Sequence, residues 1–181
     1  MTGSTPQDDE DCRRRYELWR QGFDRPIDIA LLMIGAWEVF DRVVDGRLIE
    51  FGTGEHRTML RTALQRDVDT LVAGGAPRVA LFNVPCFEER DNALGGPGSP
   101  RNDRGRVAVV NDAIAATAAA NPATVVTIDI ASFVCPGGRF RESLEGVELR
   151  PDGVHFSKDS APLVWRWLVP VVSELATRPR P

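Results

Sequence analysis

Residues 26–35 read PIDIALLMIG, and this stretch decides the fold of the 181-residue chain. After Pro26 the side chains are apolar almost without interruption until Gly35. A run of this length is too short for a buried helix and is typical of a central parallel strand covered on both faces. We therefore predict a strand over Ile27–Ile34.

Helices and strands alternate along the rest of the chain. Apolar residues recur at helical spacing over Glu55–Ala73, and the glycines and proline that follow end this helix. Further predicted elements are a short helix over Arg13–Gly22, strands over Arg78–Val84 and Val125–Ile130, and a helix over Asp103–Asn121. An irregular turn or a small hairpin is expected within 137–150, followed by a final helix kinked at Pro170. This alternation predicts an α/β domain with a parallel sheet and right-handed crossovers.

Composition narrows the class of protein. The net charge of -4 gives no electrostatic footprint for nucleic acid. No stretch is long and apolar enough to span a bilayer, and the polar, acidic N-terminus has no signal-peptide pattern. We expect a disordered leader over residues 1–11, one domain over residues 12–177, and a chain that is cytoplasmic as encoded and not inserted in a membrane.

The best candidate for chemistry is the turn that contains Asp152, Gly153 and His155. An Asp three residues before a His in a tight turn can place its carboxylate against one ring nitrogen, so that the other nitrogen faces outward with a fixed tautomer. This is the relationship between orienter and base that nucleophilic catalysis needs. The alternative is a common Asp-Gly turn in which His155 caps the last helix.

The residues Arg150-Pro151-Asp152-Gly153-Val154-His155-Phe156-Ser157, followed by an apolar helix, resemble the last block of the SGNH (GDSL-type) hydrolases. Leu32-Met33-Ile34-Gly35-Ala36-Trp37-Glu38 resembles the third block of the same family. The resemblance covers residues 12–176 and implies a flavodoxin-like, three-layer fold that cleaves or transfers acyl esters. It implies Asp152 and His155 as catalytic residues, and it implies oxyanion or pocket residues at Gly35, Trp37, Glu38 and Asp41.

The combination of Gly35-Ala36-Trp37-Glu38, Asp41-Arg42 and Cys135-Pro136-Gly137-Gly138-Arg139-Phe140 looks most like the SGNH domains fused behind bacterial membrane acyltransferases, which O-acylate cell-surface glycans. That likeness implies a small-molecule or glycan ester as substrate and an extracytoplasmic location if the chain is part of such a protein. It implies no cofactor.

The first family block, a Gly-Asp-Ser that supplies the nucleophile, is absent from the chain. None of the seven serines follows Gly-Asp, and only Ser99 lies in a loop that could approach the site. Trp37 stands where the family has an oxyanion-hole asparagine. We expect a domain that lacks its first strand, helix and second strand, completed by an N-terminal segment or a partner chain. The alternative is a non-catalytic remnant or binding module.

Three cysteines and two histidines complete the set of candidate residues. Cys86 and Cys135 follow adjacent predicted strands, so a disulfide is compatible with the implied fold, and two buried thiols are the alternative. No metal site is predicted, because His56 has no second ligand at metal spacing and is expected at the surface. A solvated loop explains the acidic residues of 38–50, and Trp165 and Trp167 are expected to pack the last helix onto the sheet.

Overall fold

The computed structural model of the protein describes residues 14–90 and 95–178. The predicted leader, residues 1–11, lies outside the described residues. In chain order the elements are α1 (residues 14–20), β1 (Ala30–Leu32), β2 (Arg42–Val44), β3 (Arg47–Ile49), α2 (Gly54–Ala73), β4 (Val79–Phe82), α3 (Arg104–Ala120), β5 (Val125–Ile128), α4 (Ile130–Val134), β6 (Ser143–Leu144), β7 (Val147–Glu148) and α5 (Ala161–Thr177).

The predicted parallel sheet is confirmed and has the strand order β1-β4-β5. Ala30 lies beside Val79, and Val79 lies beside Val125, so the three strands share one register. Each strand is shorter than its apolar run, because the residues at both ends of each run leave the hydrogen-bonded ladder. The carboxyl ends of the three strands meet at one edge, and this edge is where open α/β sheets bind ligands.

Helices cover the sheet on both faces and produce three layers. On one face, α2 and α3 pack onto β1 and β4 through a core that includes Leu64, Val110 and Leu81. On the other face, α4 and α5 pack onto β4 and β5 through a second core that includes Phe82 and Leu168. This arrangement is the flavodoxin-like, three-layer α/β architecture that the sequence predicts. None of the helices in the described ranges has the length and hydrophobicity needed to cross a membrane.

Two antiparallel hairpins stand outside the main sheet. Strands β6 and β7 form the small hairpin predicted within 137–150. Strands β2 and β3 form a second hairpin in the region that we predicted as a solvated loop, and that prediction is wrong. The backbone angle φ is 50° at Asp45 and 76° at Gly46. An Asp-Gly pair with positive φ at both positions makes the two-residue turn that suits the twist of a hairpin.

Two further predictions about side chains need correction. His56 is buried rather than at the surface, with its ring centre 4.5 Å from that of Phe51. Trp167 packs onto Phe133 in a stacked contact, but Trp165 on the same helix is largely exposed. Helix α5 includes Pro170, where the sequence predicts a kink, within its range. A proline therefore interrupts one hydrogen bond of α5 without ending the helix.

Strand β1 is covered on one side only. Its Ala30 and Leu32 side chains lie in the core beneath α2 and α3, while Leu31 and Met33 on the opposite face are 37% and 52% exposed. Within the described residues β1 pairs with β4 and with no strand on its other edge. Both the outer edge of β1 and the face that carries Leu31 and Met33 are thus open.

Candidate active site

The turn at residues 150–155 lies at the carboxyl edge of the sheet and packs against the loop that follows β4. Its backbone bonds to that loop at two points: the N–H of Glu88 donates to the carbonyl of Gly153, and the N–H of Arg90 donates to the carbonyl of Asp152, both at 3.2 Å. The turn closes on itself through the N–H of Gly153, which donates to the carbonyl of Arg150 at 2.9 Å. The turn is therefore held by main-chain bonds on both sides.

Gly153 is required at this position for steric reasons. A Cβ atom there would lie 1.8 Å from the carbonyl oxygen of Glu88, and the residue has a φ of +81°. Real Cβ atoms do not approach backbone oxygens so closely, and a positive φ is costly for any residue with a side chain. The close approach of the two backbones is what fixes Asp152 and His155 against the sheet.

The carboxylate of Asp152 caps the turn and orients His155. Its Oδ1 atom accepts hydrogen bonds from the backbone N–H groups of Val154 at 2.8 Å and of His155 at 2.7 Å. Its Oδ2 atom lies 2.6 Å from Nδ1 of His155. An ionised carboxylate can only accept, so the proton of this bond is on Nδ1, and Nε2 of the neutral ring is left as the acceptor.

The electrostatics of the pair favour an ionised Asp152. Burial would raise the pKa of the Asp152 carboxyl, but the hydrogen bonds from the His155 ring and from the backbone of His155 and Val154 outweigh it and lower that pKa below its ordinary value. The carboxylate is therefore charged at neutral pH and can stabilise a protonated imidazole. The structure thus gives His155 the partner that a general base requires.

The outward nitrogen of His155 faces open space. The His155 side chain is 68% exposed, and no hydrogen bond joins its Nε2 atom to another residue within 14–90 or 95–178. A base in this state can take a proton from a hydroxyl group that is brought within about 3 Å of it. The described residues thus supply an oriented imidazole whose Nε2 is open to solvent.

No hydrogen bond joins a serine of the described residues to His155. Ser99 and Ser160 are buried, and the Ser99 hydroxyl accepts from the backbone N–H of Arg101. The Ser132 hydroxyl donates to Asp129 within α4. The remaining serines are Ser143 in β6, Ser157 beside the start of α5, Ser173 in α5, and Ser4, which lies outside the described residues. The Ser99 hydroxyl, which the sequence placed in a loop that could approach the site, is thus engaged with Arg101.

The loop after β1 forms the other wall of the candidate site. At Gly35 a Cβ atom would lie 2.2 Å from Val84, so only glycine fits between the two loops. The backbone N–H of Gly35 donates to the carboxylate of Glu38 at 2.6 Å and is thereby engaged. Trp37 is 57% exposed. Asp41 accepts from the backbone N–H of Phe51 at 2.8 Å, which anchors the start of the β2–β3 hairpin.

A buried ion pair connects the two walls. Nη1 of Arg101 donates to Glu89 at 2.8 Å, and both side chains are almost completely buried. Nε of Arg101 donates to the carbonyl of Ala36 at 2.7 Å, and the guanidinium lies over the Trp37 ring at 4.4 Å. Sequence reasoning missed this pair, because two charges 12 residues apart in a loop carry no periodic or motif signal. The pair links the Trp37 loop to residues 88–90, which hold the turn at residues 150–155.

A disulfide lies behind the turn. Cys86, which follows β4, and Cys135, which follows α4, are joined with a Cα–Cα distance of 6.1 Å. Arg150 is buried against them, and its guanidinium donates to the carbonyl oxygens of Cys86 at 2.7 Å and of Val134 at 3.2 Å. The disulfide, Arg150 and the turn form one connected unit at the carboxyl edge of β4.

Around this unit the described residues form a cleft but no metal-binding cluster. Within residues 14–90 and 95–178 no group of three or more His, Cys, Asp or Glu side chains could hold a metal ion. A cleft of about 520 Å³ lies along α2 and is lined by none of the candidate site residues. A second cleft of about 410 Å³ is lined in part by Cys86 and Cys135.

Comparison with known proteins places the fold. No protein-family model matches the sequence, and no curated protein matches it. The crystal structure of the lipase/acylhydrolase from Enterococcus faecalis is similar, with a TM-score of 0.51 and 19% sequence identity over 95% of this chain and 72% of that chain. At this identity the similarity concerns the fold. The chain therefore has a flavodoxin-like α/β fold that is similar to the fold of this lipase/acylhydrolase.

Proposed function

We propose that the chain is the base-bearing part of an acyl-ester hydrolase or O-acyltransferase, with His155 as general base and Asp152 as its orienter. The observation that carries the proposal is the 2.6 Å contact between Nδ1 of His155 and Oδ2 of Asp152, with Nε2 directed away into solvent. This geometry is the one that activates a hydroxyl nucleophile for attack on an ester carbonyl. The fold likeness to a lipase/acylhydrolase is compatible with this chemistry.

The nucleophile would come from a segment that completes the sheet. The open edge of β1 offers backbone groups to one further strand, and the exposed Leu31 and Met33 offer a face to one further helix. An unpaired edge with apolar neighbours is a surface that proteins normally cover. A strand and helix added there would end at the same carboxyl edge as the Asp152–His155 turn. We therefore propose that this segment, on an N-terminal extension or on a partner chain, carries the hydroxyl.

The substrate class that we propose is an ester of a small molecule or of an acylated glycan, and no cofactor is needed for this chemistry. An exposed indole supported by a guanidinium makes a flat platform beside the base, and Trp37 on Arg101 has this form. If the chain belongs to a membrane acyltransferase, as the motif order suggests, this site would lie outside the cytoplasm.

The test is hydrolysis of p-nitrophenyl acetate by the chain alone and by the chain extended with the sequence encoded upstream of Met1. We expect the extended protein to be active and His155→Ala to lower kcat/KM by about 10²- to 10⁴-fold, as loss of a general base does. Lys158→Ala, at an exposed neighbour of the turn, is the matched control and should leave the rate unchanged. An inactive extended protein would rule out the N-terminal extension as the source of the hydroxyl, and a His155→Ala variant with an unchanged rate would overturn the proposal.

A second candidate function is a binding module without catalysis. The observation that favours it is that no hydroxyl of the described residues contacts Nε2 of His155, whereas Trp37 is exposed. A serine-reactive fluorophosphonate separates the two functions. Stoichiometric labelling of the extended protein that depends on His155 supports the enzyme, and no labelling of either protein supports the binding module.

A further inference from the structure

Two hydrogen-bond donors converge on one of the two sulfur atoms of the disulfide. The backbone N–H of Cys86 lies 3.1 Å from Sγ of Cys135, and Nη2 of Arg150 lies 3.6 Å from the same atom. Arg150 also donates to Cys86, but to its carbonyl oxygen and not to its sulfur. The two sulfurs are therefore in different electrostatic surroundings, and the positive field is directed at Cys135.

Arg150 is a buried cation that lacks a counter-ion in the described structure. Its side chain is 1% exposed, and within residues 14–90 and 95–178 no carboxylate lies within 4 Å of its guanidinium. Its Nε atom has no hydrogen-bond partner in those residues. Burial lowers the pKa of Arg150 to about 10, although the more distant carboxylates of Asp152 and Glu88 act in the opposite direction. A negative charge beside this guanidinium would relieve the cost of burying it.

The disulfide can be reached from solvent. A cleft of about 410 Å³ is lined by both cysteines and by Arg104, Ser132, Gly137 and Gly138. Cys86 is half-buried, whereas Cys135 is buried. A small thiol that enters the cleft meets both cysteines, of which Cys86 is the more exposed residue. Exposed Arg104 at the rim suits a thiol that carries a carboxylate.

We propose that Cys86–Cys135 is a thiol-exchange site in which Cys86 is the sulfur that is attacked and Cys135 leaves as a thiolate paired with Arg150. An external thiolate forms a bond to Sγ of Cys86, the Cys86–Cys135 bond breaks, and its electron pair goes to Sγ of Cys135. A second thiolate of a dithiol reductant then displaces Cys86, which leaves as a thiolate and takes a proton from water. The reductant ends as a disulfide, and Cys86 and Cys135 end as two reduced cysteines.

The exchange site touches the candidate active site through Arg150. The same side chain that would pair with the Cys135 thiolate stands two residues before Asp152, and its carbonyl closes the turn. Reduction would therefore exchange a covalent link behind the turn for an ion pair at the same place. The inference concerns the cysteines and does not depend on ester hydrolysis, so its failure and the failure of the proposed function can be distinguished.

The first experiment compares the two thiols one at a time in a Cys12→Ser background. Cys86→Ser leaves Cys135 as the only thiol, and Cys135→Ser leaves Cys86 as the matched control. We expect the iodoacetamide alkylation rate of Cys135 to reach half its maximum at least one pH unit below that of Cys86, whose profile should stay near the ordinary value of about 8.5. Equal midpoints for the two thiols would overturn the proposal.

Arg150→Gln tests the role of the guanidinium. In the Cys12→Ser/Cys86→Ser background we expect this substitution to raise the alkylation midpoint of Cys135 by at least one pH unit, with Arg150→Lys between the two. An unchanged midpoint in a folded Arg150→Gln variant would contradict the proposal. If Arg150→Gln does not fold, Arg150→Lys and peptide mapping of the reduced Cys12→Ser protein give the same comparison.

The second experiment asks which sulfur is attacked. The oxidised Cys12→Ser protein is incubated with glutathione, blocked with N-ethylmaleimide and digested for mass spectrometry. We expect glutathione on the peptide of Cys86 and N-ethylmaleimide on the peptide of Cys135. Glutathione found on Cys135 instead, or a disulfide that does not react while the protein remains folded, would overturn the proposal.

Discussion

The turn at residues 150–155 and the open side of β1 flank the same candidate site, but they are built very differently. The turn is bonded to residues 88–90, capped by Asp152 and backed by a disulfide. Strand β1 pairs on one edge only, in the described residues, and exposes Leu31 and Met33. The difference teaches that the side that holds His155 is fully formed, while the open side of β1 still has apolar surface to bury.

The largest expected effect comes from a substitution in the turn at residues 150–155. Gly153→Ala should cost more than about 4 kcal/mol in the free energy of unfolding or prevent folding, because its Cβ would overlap the carbonyl of Glu88. Gly137→Ala is the control, since Gly137 also has a positive φ but no atom within 4 Å of the added Cβ. That substitution should cost only about 1 kcal/mol. Urea denaturation of both variants measures the difference, and similar losses would refute this steric account.

The next effect compares the two faces of β1. Leu32 is buried in the core and Leu31 is exposed, although they are adjacent. Leu32→Ala should cost about 3 kcal/mol, whereas Leu31→Ala should cost less than about 1 kcal/mol. Leu31→Asp should also reduce any self-association measured by sedimentation equilibrium, because it places a charge on the exposed apolar face of β1. Equal stability losses at the two positions would show that β1 is covered on both faces.

A smaller effect probes the charge of Asp152. Because the folded-state pKa of Asp152 is lowered, its carboxylate stabilises the fold above the unfolded pKa of about 3.9, and this stabilisation is lost as pH falls through the folded pKa. Asp152→Asn should therefore cost about 1 kcal/mol at pH 7 and less at pH 3. Urea denaturation of both proteins at each pH measures the gap. A difference in the free energy of unfolding that grows as the pH falls would contradict the lowered pKa of Asp152.

The smallest expected effect lies away from both regions. Glu174 forms an ion pair with Arg178 at the end of α5, and both side chains are more than half exposed. Glu174→Gln should change the free energy of unfolding by less than about 0.5 kcal/mol, because exposed pairs are screened by solvent. A loss above 1 kcal/mol in the same urea assay would contradict this, because it would mean that solvent does not screen the Glu174–Arg178 pair.

The sequence was sufficient to predict the sheet and the contact between Asp152 and His155. Apolar runs bounded by glycine and proline identify buried parallel strands, and parallel strands must end at a shared edge. The spacing of Asp152 and His155 predicts a carboxylate against a ring nitrogen, which is the contact found at 2.6 Å. These features can be predicted from local sequence patterns because each depends on residues that are close together in the chain.

Features that depend on distant residues could not be predicted. The burial of His56 follows from its packing against Phe51 and from the loop around it, and its helix-start position gave no sign of this. The ion pair of Glu89 with Arg101 depends on how a long loop folds back under Trp37. Three-residue strands such as β2 and β3 are too short for alternation to distinguish them from a loop.

The central claim is that His155 is an oriented base, and nitrogen NMR of the two imidazole rings tests it most directly. His155→Ala assigns the signals, and the buried His56 serves as an internal reference. We predict that neutral His155 carries its proton on Nδ1 in the wild-type protein and that Asp152→Asn shifts the proton towards Nε2 without changing the His56 signals. A wild-type His155 that carries its proton on Nε2, with no response to Asp152→Asn, would contradict the account.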